Sequence, residues 1–322
     1  MNKTKKYSVE EFKKRRQAEC AFMTCASFEE RSITIAKCLD KKFVAKAFIF
    51  STKATQKIQE NSDALSVLFG NNAVIMEIVK NDPFSYMQSF YKAINEIIDN
   101  GYKNLYIDIT TFTHEMLLIL LKIVIKKKTS FEHIQFLYNG AKEYSVGDKN
   151  ENKWLSKGCK DIRSVLGYPG YLVPKNPICV IILVGFEHER ASALINAMEP
   201  DMIVIGHGKA EIDSVLSDNH IEPMKYFDEV HRSLFASFAN MEGFEFSVKD
   251  VESTVSILEG IIEDTSKYDH IIVPLNTKTS TLAAGLVAIS NPKVQVCYAE
   301  PEMYNNENYS KPSDTIVVYS LK

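Results

Sequence analysis

Short apolar runs that alternate with longer amphipathic stretches organise this chain. Runs such as Cys20–Cys25 and Ile178–Val184 are apolar at nearly every position and do not alternate with polar residues. Strands of this kind are typical of a parallel sheet that is covered on both faces, and the stretches between them are long enough for helices. The pattern therefore predicts strands and helices in regular alternation.

Two series of alternating elements are predicted, one in each half of the chain. Before the first series, Ser8 and Glu11 form a capping box for a helix that runs to Gln17. In the first half, strands are predicted at 20–25, 43–50, 73–79, 105–107 and 133–138, with helices to about 39 and at 52–69, 83–100 and 114–125. In the second half, strands are predicted at 178–184, 202–205, 244–248, 271–275, 294–298 and, at an edge, 316–319, with helices at 191–198, within 223–239, and at 251–265 and 282–289.

These series predict an α/β chain with two Rossmann-like parallel-sheet domains related by internal duplication. We expect a helical extension over residues 1–18, a first domain over 19–145, a polar, turn-rich linker over 146–177 and a second domain over 178–322. The G-x-G-x-x-G fingerprint is absent, which disfavours a dinucleotide site of that type, and no cofactor is predicted.

Three landmarks recur in the same order and indicate the duplication. Phe28 and Phe186 open similar turns 158 positions apart, Ile109 and Leu275 precede hydroxyl-rich turns 166 apart, and Tyr138 and Tyr298 close strands 160 apart. The alternative is that any two Rossmann-like domains share strand–turn–helix units, which explains the near-constant spacing less well.

Composition narrows the possible partners. The 322 residues carry a net charge of −3, so no overall basic field favours nucleic acid; only the basic N-terminal helix, with Lys and Arg between positions 3 and 16, could contact it. Six cysteines without a CxxC pair indicate a reduced, cytoplasmic protein. No apolar run is long enough to span a membrane, and seven scattered histidines predict no metal site.

The turn after the first strand of each half carries acids and an arginine. Glu29 and Glu30 precede Arg31 in the first half, and Arg190 follows in the matching turn. These acids either stabilise a helix start and pair with the arginine, or the arginines bind phosphate or orient a catalytic carboxylate. Cys25 and Arg31 fit the spacing of cysteine phosphatases, but two glutamates inside such a loop would repel a phosphate.

The turn after the fourth strand carries several hydroxyl groups. In the first half, Asp108 could act as a general base or metal ligand. Helix capping explains one hydroxyl of each turn, whereas a ligand site for an anion at a helix N-terminus explains several. The predicted ligand contacts, besides the two arginines, are Thr110, Thr111 and Thr113 in the first half and Asn276, Thr277, Lys278 and Thr279 in the second.

The hydroxyl-rich turn between strand and helix at 107–116 resembles the ligand-binding turn of CARF domains. These are Rossmann-like sensors of cyclic oligonucleotides in prokaryotic antiviral systems, and two fused units resemble the SAVED arrangement. The resemblance implies a nucleotide-sensing regulatory protein whose second ligand loop lies at 27–32 and 185–190. The adjacent glycines and the lysine of the CARF turn are missing from 108–113, and Lys278 brings the second copy nearer to it.

Three functions follow from these patterns. The first is a regulatory protein that binds a nucleotide or another phosphorylated small molecule and acts in antiviral defence with a partner effector or as a homo-oligomer. The second is a hydrolase or transferase acting on a nucleotide, with Asp108, Glu29 and Glu30 as its acids. The third is a structural adaptor, in which both turns are only helix caps.

Overall fold

The computed structural model describes residues 3–144, 155–185, 188–209, 241–307 and 309–321. The chain divides into two compact units. Unit 1 consists of Met1–Lys153 and Asn306–Lys322, and unit 2 consists of Trp154–Asn305. In sequence, unit 2 is therefore an insertion within unit 1.

The described residues of unit 1 form a seven-stranded sheet. Its strands β2 to β6 are parallel, while β1 and β15 run antiparallel to their neighbours. The strands are β1 (Lys3–Ser8), β2 (Cys20–Cys25), β3 (Val44–Ser51), β4 (Ala73–Glu77), β5 (Asn104–Asp108), β6 (His133–Tyr144) and β15 (Ser310–Leu321), in the order β1-β15-β6-β5-β2-β3-β4.

The helices of unit 1 begin where the sequence supplies caps. They are α1 (Val9–Lys14), α2 (Gln56–Phe69), α3 (Pro83–Asp99) and α4 (His114–Lys126). Ser8 and Glu11 form the predicted capping box, and side chains of Thr55, Asp82 and Thr113 cap the other three. The predicted helix after β2 is replaced by short 3-10 segments, Glu30–Ile33 and Ala36–Cys38, because the β-branched run at 33–35 is a poor helix former.

Unit 2 contains a six-stranded sheet and a small two-stranded ribbon. The sheet has the order β11-β10-β9-β12-β13-β8, with only β8 antiparallel to its neighbour. Its strands are β8 (Asp161–Pro169), β9 (Ile178–Val184), β10 (Met202–Lys209), β11 (Met241–Ser247), β12 (Asp269–Pro274) and β13 (Gln295–Glu300). The ribbon pairs β7 (Ser156–Lys157) with β14 (Met303–Tyr304), and the helices are α5 (His188–Met198), α6 (Val251–Asp264) and α7 (Lys278–Ser290).

The two sheets share one strand order. If the five parallel strands are counted along the chain, both sheets read 3-2-1-4-5 and then continue with an antiparallel strand, β15 in unit 1 and β8 in unit 2. This is the Rossmann order 3-2-1-4-5-6 without its sixth parallel strand, and it confirms the predicted α/β class with two parallel-sheet domains. The duplication itself stays a prediction, for which a common strand order is a necessary condition.

Apolar side chains on the central strands bury the core of each unit. In unit 1, Phe22, Ile49 and Leu137 pack with Leu65 of α2 and Ile316 of β15. In unit 2 the central strands pack against α5 in the same way, through Ile182, Ile205, Val273, Leu194 and Ala191. The continuous apolar runs of the sequence thus correspond to strands enclosed on both faces.

The units differ from the predicted domain boundaries at three places. Residues 3–8 form strand β1 and only 9–14 are helical, so the expected helical extension over 1–18 is partly sheet. Residues 156–157 and 161–169, expected in the linker, are strands of unit 2. Residues 310–321, expected in the second domain, lie between β1 and β6 in unit 1, because their buried face completes that core. The helix predicted within 223–239 lies outside the described residues.

Deleting residues 310–322 should destabilise unit 1 and spare unit 2. The deletion removes the buried residues Ile316, Val318 and Tyr319 and leaves β1 and β6 without the neighbour they share. Hydrogen exchange followed by mass spectrometry should show lost protection in β6, while β9 and β12 keep theirs. Removal of residues 1 and 2 is the control. Unchanged protection of β6 in the truncated chain would contradict this assignment of β15.

Candidate functional site

In each unit, the two candidate turns lie at the carboxyl edge of the sheet, beside its first parallel strand, which is β2 in unit 1 and β9 in unit 2. In unit 1 the neighbours of β2 are β5 and β3, and in unit 2 those of β9 are β12 and β10. The strand order reverses at this position, and the turns after β2 and β5, or after β9 and β12, flank the reversal. Ligands of open α/β sheets bind in the crevice at such a switch point.

Asp108 ends β5 and is completely buried. Its carboxylate accepts hydrogen bonds from the Thr110 amide at 3.0 Å and from the Thr24 hydroxyl at 3.4 Å. Burial raises the pKa of Asp108 to about 7, although these hydrogen bonds and the charge of Arg31 act in the opposite direction. A carboxyl group with this pKa can exchange a proton near neutral pH, but no part of it is exposed.

The three predicted threonines of unit 1 are each engaged within the fold. Thr110 Oγ1 accepts a hydrogen bond from the Asn139 amide at 3.0 Å. Thr111 Oγ1 donates to the Cys25 carbonyl at 2.6 Å, and Thr113 Oγ1 caps α4 by accepting from the Met116 amide at 3.1 Å. The hydroxyls therefore fix the turn against both neighbouring strands, and Thr111 and Thr113 remain half-buried at the rim.

Arg31 is buried at the centre of a polar cluster. Its Nε and Nη2 atoms donate to Glu29 Oε2 at 2.8 and 2.5 Å, and its Nη1 atom donates to the Asn139 carbonyl at 3.2 Å. The Tyr144 ring lies 5.8 Å from the guanidinium. Thr110 accepts from the backbone N–H of Asn139, and Arg31 donates to the backbone carbonyl of the same residue. The two predicted turns therefore meet at Asn139. Glu30, by contrast, is exposed.

Three of the predicted residues of unit 2 form hydrogen bonds within its fold. Asn276 Nδ2 donates to the Val184 carbonyl at 2.5 Å. Thr277 caps α7, and its hydroxyl lies 2.7 Å from that of Thr279, which donates to the Val248 carbonyl at 2.5 Å. Lys278 is the first residue of α7 and is half-buried.

The two units place equivalent groups in equivalent bonds. Arg31 bonds the carbonyl of Asn139, 108 positions later, and Arg190 bonds that of Ala299, 109 positions later, at 3.3 Å. The turn after the fourth strand is bonded to the last carbonyl of the first strand in both units, through Thr111 in unit 1 and Asn276 in unit 2. These paired contacts are the arrangement that a duplication predicts.

The charges at the two edges differ. The first turn of α4 contains Glu115, whereas that of α7 contains no acidic residue and begins with Lys278. In unit 2 the end of β10 also comes close to this turn, since a Cβ atom on Gly208 would lie 3.0 Å from Asn276 Nδ2 and 2.5 Å from a Val248 methyl group. The unit 2 edge is therefore better suited to an anion.

Three residues that organise the unit 1 site were not predicted from the sequence. Asn139 joins Arg31 and Thr110 and donates to the carbonyls of Ser313 and Thr315; Thr24 contacts Asp108, and Ser310 donates to Glu29 at 2.6 Å. A polar residue within a buried strand, as at positions 24 and 139, is the signal that could have found two of them. Ser310 is distant in sequence and gives no such signal.

Within the described ranges, no group of three or more His, Cys, Asp or Glu side chains is placed to hold a metal ion. All six cysteines are free thiols. Of the helices that the structure describes, none combines the length and apolar character needed to cross a membrane.

No protein-family model matches the chain, and no curated protein matches it in sequence. Among solved structures it resembles Can2 from Sulfobacillus thermosulfidooxidans in complex with cyclic tetra-adenylate, with 12% identity over 42% of this chain and 36% of that one and a TM-score of 0.30. It also resembles the NADP-bound N-domain of a bacterial malonyl-CoA reductase, with 10% identity, 85% and 78% coverage and a TM-score of 0.26. A third similar structure is a dehydrogenase/reductase from Sinorhizobium meliloti 1021, with 10% identity over 73% of this chain and 96% of that one and a TM-score of 0.27. The match to Can2 thus spans about a third of that protein, and likenesses at this level do not identify a ligand.

Replacing Asp108 by asparagine should change how stability depends on pH. Because burial raises the pKa of Asp108 from 3.8 to about 7, the folded wild type holds this proton more tightly than the unfolded chain does. Its contribution to stability is therefore lost as pH rises from about 4 to about 7, by roughly 4 kcal/mol at most. The introduced amide does not ionise, so the variant should gain stability relative to wild type over this interval.

Urea unfolding between pH 5 and pH 8 measures this difference, and Asp99→Asn on the exposed end of α3 is the control. The free energy of unfolding of wild type minus that of Asp108→Asn should fall with pH, and by more than the same difference for Asp99→Asn. A constant difference for Asp108→Asn would mean that its carboxyl group titrates normally in the folded protein.

Proposed function

We propose that this protein binds a nucleotide or another phosphorylated small molecule at the carboxyl edge of the unit 2 sheet. The observation that carries the proposal is the position of Lys278, which begins α7 directly after β12 and beside the switch point. A lysine at a helix N-terminus adds a full positive charge to the backbone N–H groups that already favour an anion there.

The neighbouring polar groups suit a phosphorylated ligand. Asn276, Thr277 and Thr279 surround the helix start, and the half-buried Asn276 and Thr277 reach the rim. Gly208 lets the end of β10 approach Asn276 without a side chain in between. Arg190 lies in the first turn of α5, the helix that follows β9 at the switch point, and its guanidinium donates to the Ala299 carbonyl. We assign these residues to ligand binding in unit 2.

The corresponding unit 1 residues Arg31, Thr110, Thr111 and Thr113 form a second, more acidic candidate site. Together with the resemblance of the turns to CARF domains, this supports a regulatory role, in which a bound nucleotide changes how the protein acts on a partner effector. Antiviral defence is the setting that the resemblance suggests. Cyclic oligonucleotides are therefore the first ligands to test, followed by linear nucleotides.

One observation favours the enzyme alternative. Asp108 has a pKa of about 7, as a general acid or base at neutral pH requires, and Glu29 and Glu30 lie in the neighbouring turn. A substrate would have to reach a carboxylate that is fully buried, and Glu29 is bonded to Arg31. We therefore rank nucleotide binding without turnover above catalysis. The structural adaptor remains the interpretation if no ligand binds.

Calorimetric titration of the full chain with cyclic and linear nucleotides tests the proposal. Lys278→Gln should weaken binding of a nucleotide that binds the wild type by about tenfold or more, because it removes a charge-assisted phosphate contact. Lys293→Gln is the matched control, since Lys293 is exposed and lies beyond the C-terminal end of the same helix. Equal affinities of the two variants would exclude Lys278 from the site, and no binding across the panel would reject the proposed function.

A further inference from the structure

Glu29 occupies the position at Arg31 that an external anion would use. One carboxylate oxygen, Oε2, accepts from Arg31 Nε at 2.8 Å, Arg31 Nη2 at 2.5 Å and Ser310 Oγ at 2.6 Å. The two side chains are only 9% and 4% exposed, for Glu29 and Arg31 respectively. Nε and Nη2 donate here to a single oxygen, and they are also a pair of donors that arginine presents to phosphate.

This ion pair also holds the places where the chain leaves and re-enters unit 1. Ser310 begins β15 and pairs with Tyr144, which ends β6. Arg31 lies over the Tyr144 ring, and the rings of Phe28 and Tyr309 are in edge contact at 5.5 Å. The turn at residues 28–31 therefore contacts both chain segments that connect unit 1 with the inserted unit 2.

The matching turn of unit 2 has a related contact. Glu189 Oε2 accepts a hydrogen bond from the Gly158 amide at 2.9 Å, directly after β7. This glutamate therefore bonds the segment by which the chain enters unit 2, and that segment pairs through β7 with β14 near the end of the unit. In each unit, an acid close to the arginine of the first turn bonds a connecting segment rather than facing solvent alone.

We propose that Glu29 is an internal anion that keeps the unit 1 site closed, and that a phosphate group replaces it at Arg31 and so releases Ser310. The exchange preserves the contacts of the buried guanidinium, because phosphate oxygens accept the same Nε and Nη2 hydrogens. Without a competing anion the pair stays closed, since separating it would leave a buried charge without a partner. This inference rests on the proposed function and specifies how one of its sites is regulated.

The acids next to Arg31 thereby acquire a role that does not conflict with a phosphorylated ligand. Glu29 would leave Arg31 when the ligand binds, and Glu30 is exposed and stays in solvent. When a phosphate group binds at the edge of the unit 1 sheet, the start of β15 loses its hydrogen bond to Glu29 and loosens. The binding event is thus transmitted to the segment through which the chain returns from unit 2.

Glu29→Gln in the full chain tests this exchange with inorganic phosphate as the probe. The variant keeps an acceptor for Ser310 and removes the competing charge, so calorimetry should show phosphate binding about tenfold tighter than in wild type. Phosphate should also accelerate hydrogen exchange at residues 309–316 at lower concentrations in the variant than in wild type. Glu30→Gln removes the same charge from the same turn and should leave both measurements unchanged.

Two further variants separate this role from a purely structural one. Glu29→Gln combined with Arg31→Met should lose the gain in phosphate affinity. Ser310→Ala should accelerate exchange at 309–316 and, because the lost hydrogen bond stabilises the closed state, should also tighten phosphate binding, though less than Glu29→Gln does. Equal affinities of Glu29→Gln and Glu30→Gln would overturn the proposal, as would a gain that persists without Arg31.

The wild type provides a test that does not depend on how the variants fold. Saturating phosphate should accelerate hydrogen exchange at residues 309–316 of the wild type. An unchanged exchange rate while phosphate is bound would overturn the proposal.

The experiments can reject the internal anion and the proposed function independently of each other. If no nucleotide binds wild type but Glu29→Gln gains phosphate affinity through Arg31, the proposed function fails and the internal anion stands. If nucleotide binding needs Lys278 and Glu29→Gln has no effect, the proposed function stands and the internal anion fails.

Discussion

In each unit, a hydrogen bond joins the end of one strand, β2 or β9, to the turn that follows the neighbouring strand, β5 or β12. Both candidate sites depend on this constraint. At a switch point the neighbouring chain turns away, and the last carbonyl of the first strand needs another partner because a buried carbonyl cannot remain unpaired without cost. In unit 1 the ladder between β2 and β5 covers residues 21–23, and the Thr111 hydroxyl bonds the Cys25 carbonyl beyond it. In unit 2 the side-chain amide of Asn276 donates to the Val184 carbonyl through Nδ2. Each bond sets the distance between the two turns that form the site.

The same polar side chains therefore serve the fold and the site. A hydroxyl or amide that spans the switch point must be short and polar, which is also what an anion site requires. Such residues produce a pattern in the sequence that resembles a ligand motif whether or not a ligand binds. Thr113 and Thr277 illustrate this, because their hydroxyls are helix caps in the structure and lie at the rim of the candidate sites. Lys278 differs from them, since a lysine at a helix N-terminus does not cap it and is unfavourable for the helix dipole.

The parallel part of each sheet could be predicted from the sequence. The strand at 316–319 could also be predicted, but its place in unit 1 and the strands β1 and β8 could not. Continuous apolar runs such as Ile178–Val184 identify strands enclosed on both faces, and their alternation with helices fixes the class. Residues 3–8 carry three lysines and lack such an apolar run, so their local pattern does not indicate a strand of the sheet. The pairing of β15 with β6 joins residues 166 to 187 positions apart, and local patterns contain no information on such a partner. For the same reason Asp108, Arg31 and the threonines could be named in advance, but Asn139 and Ser310, which join them, could not.

The insertion of unit 2 into unit 1 has a consequence for biosynthesis. A ribosome completes all of unit 2 before it makes β15, so the nascent chain carries β6 with an open edge while the whole of unit 2 is added. Unit 2 is continuous in sequence and can finish folding first, which reverses the usual N-terminal to C-terminal order for these two domains. During that interval β6 is exposed to unwanted strand partners, and the lysines of β1, which also waits for β15, discourage pairing at that segment. The time between synthesis of the two parts of unit 1 is therefore the period in which the edge of β6 is most open to incorrect pairing.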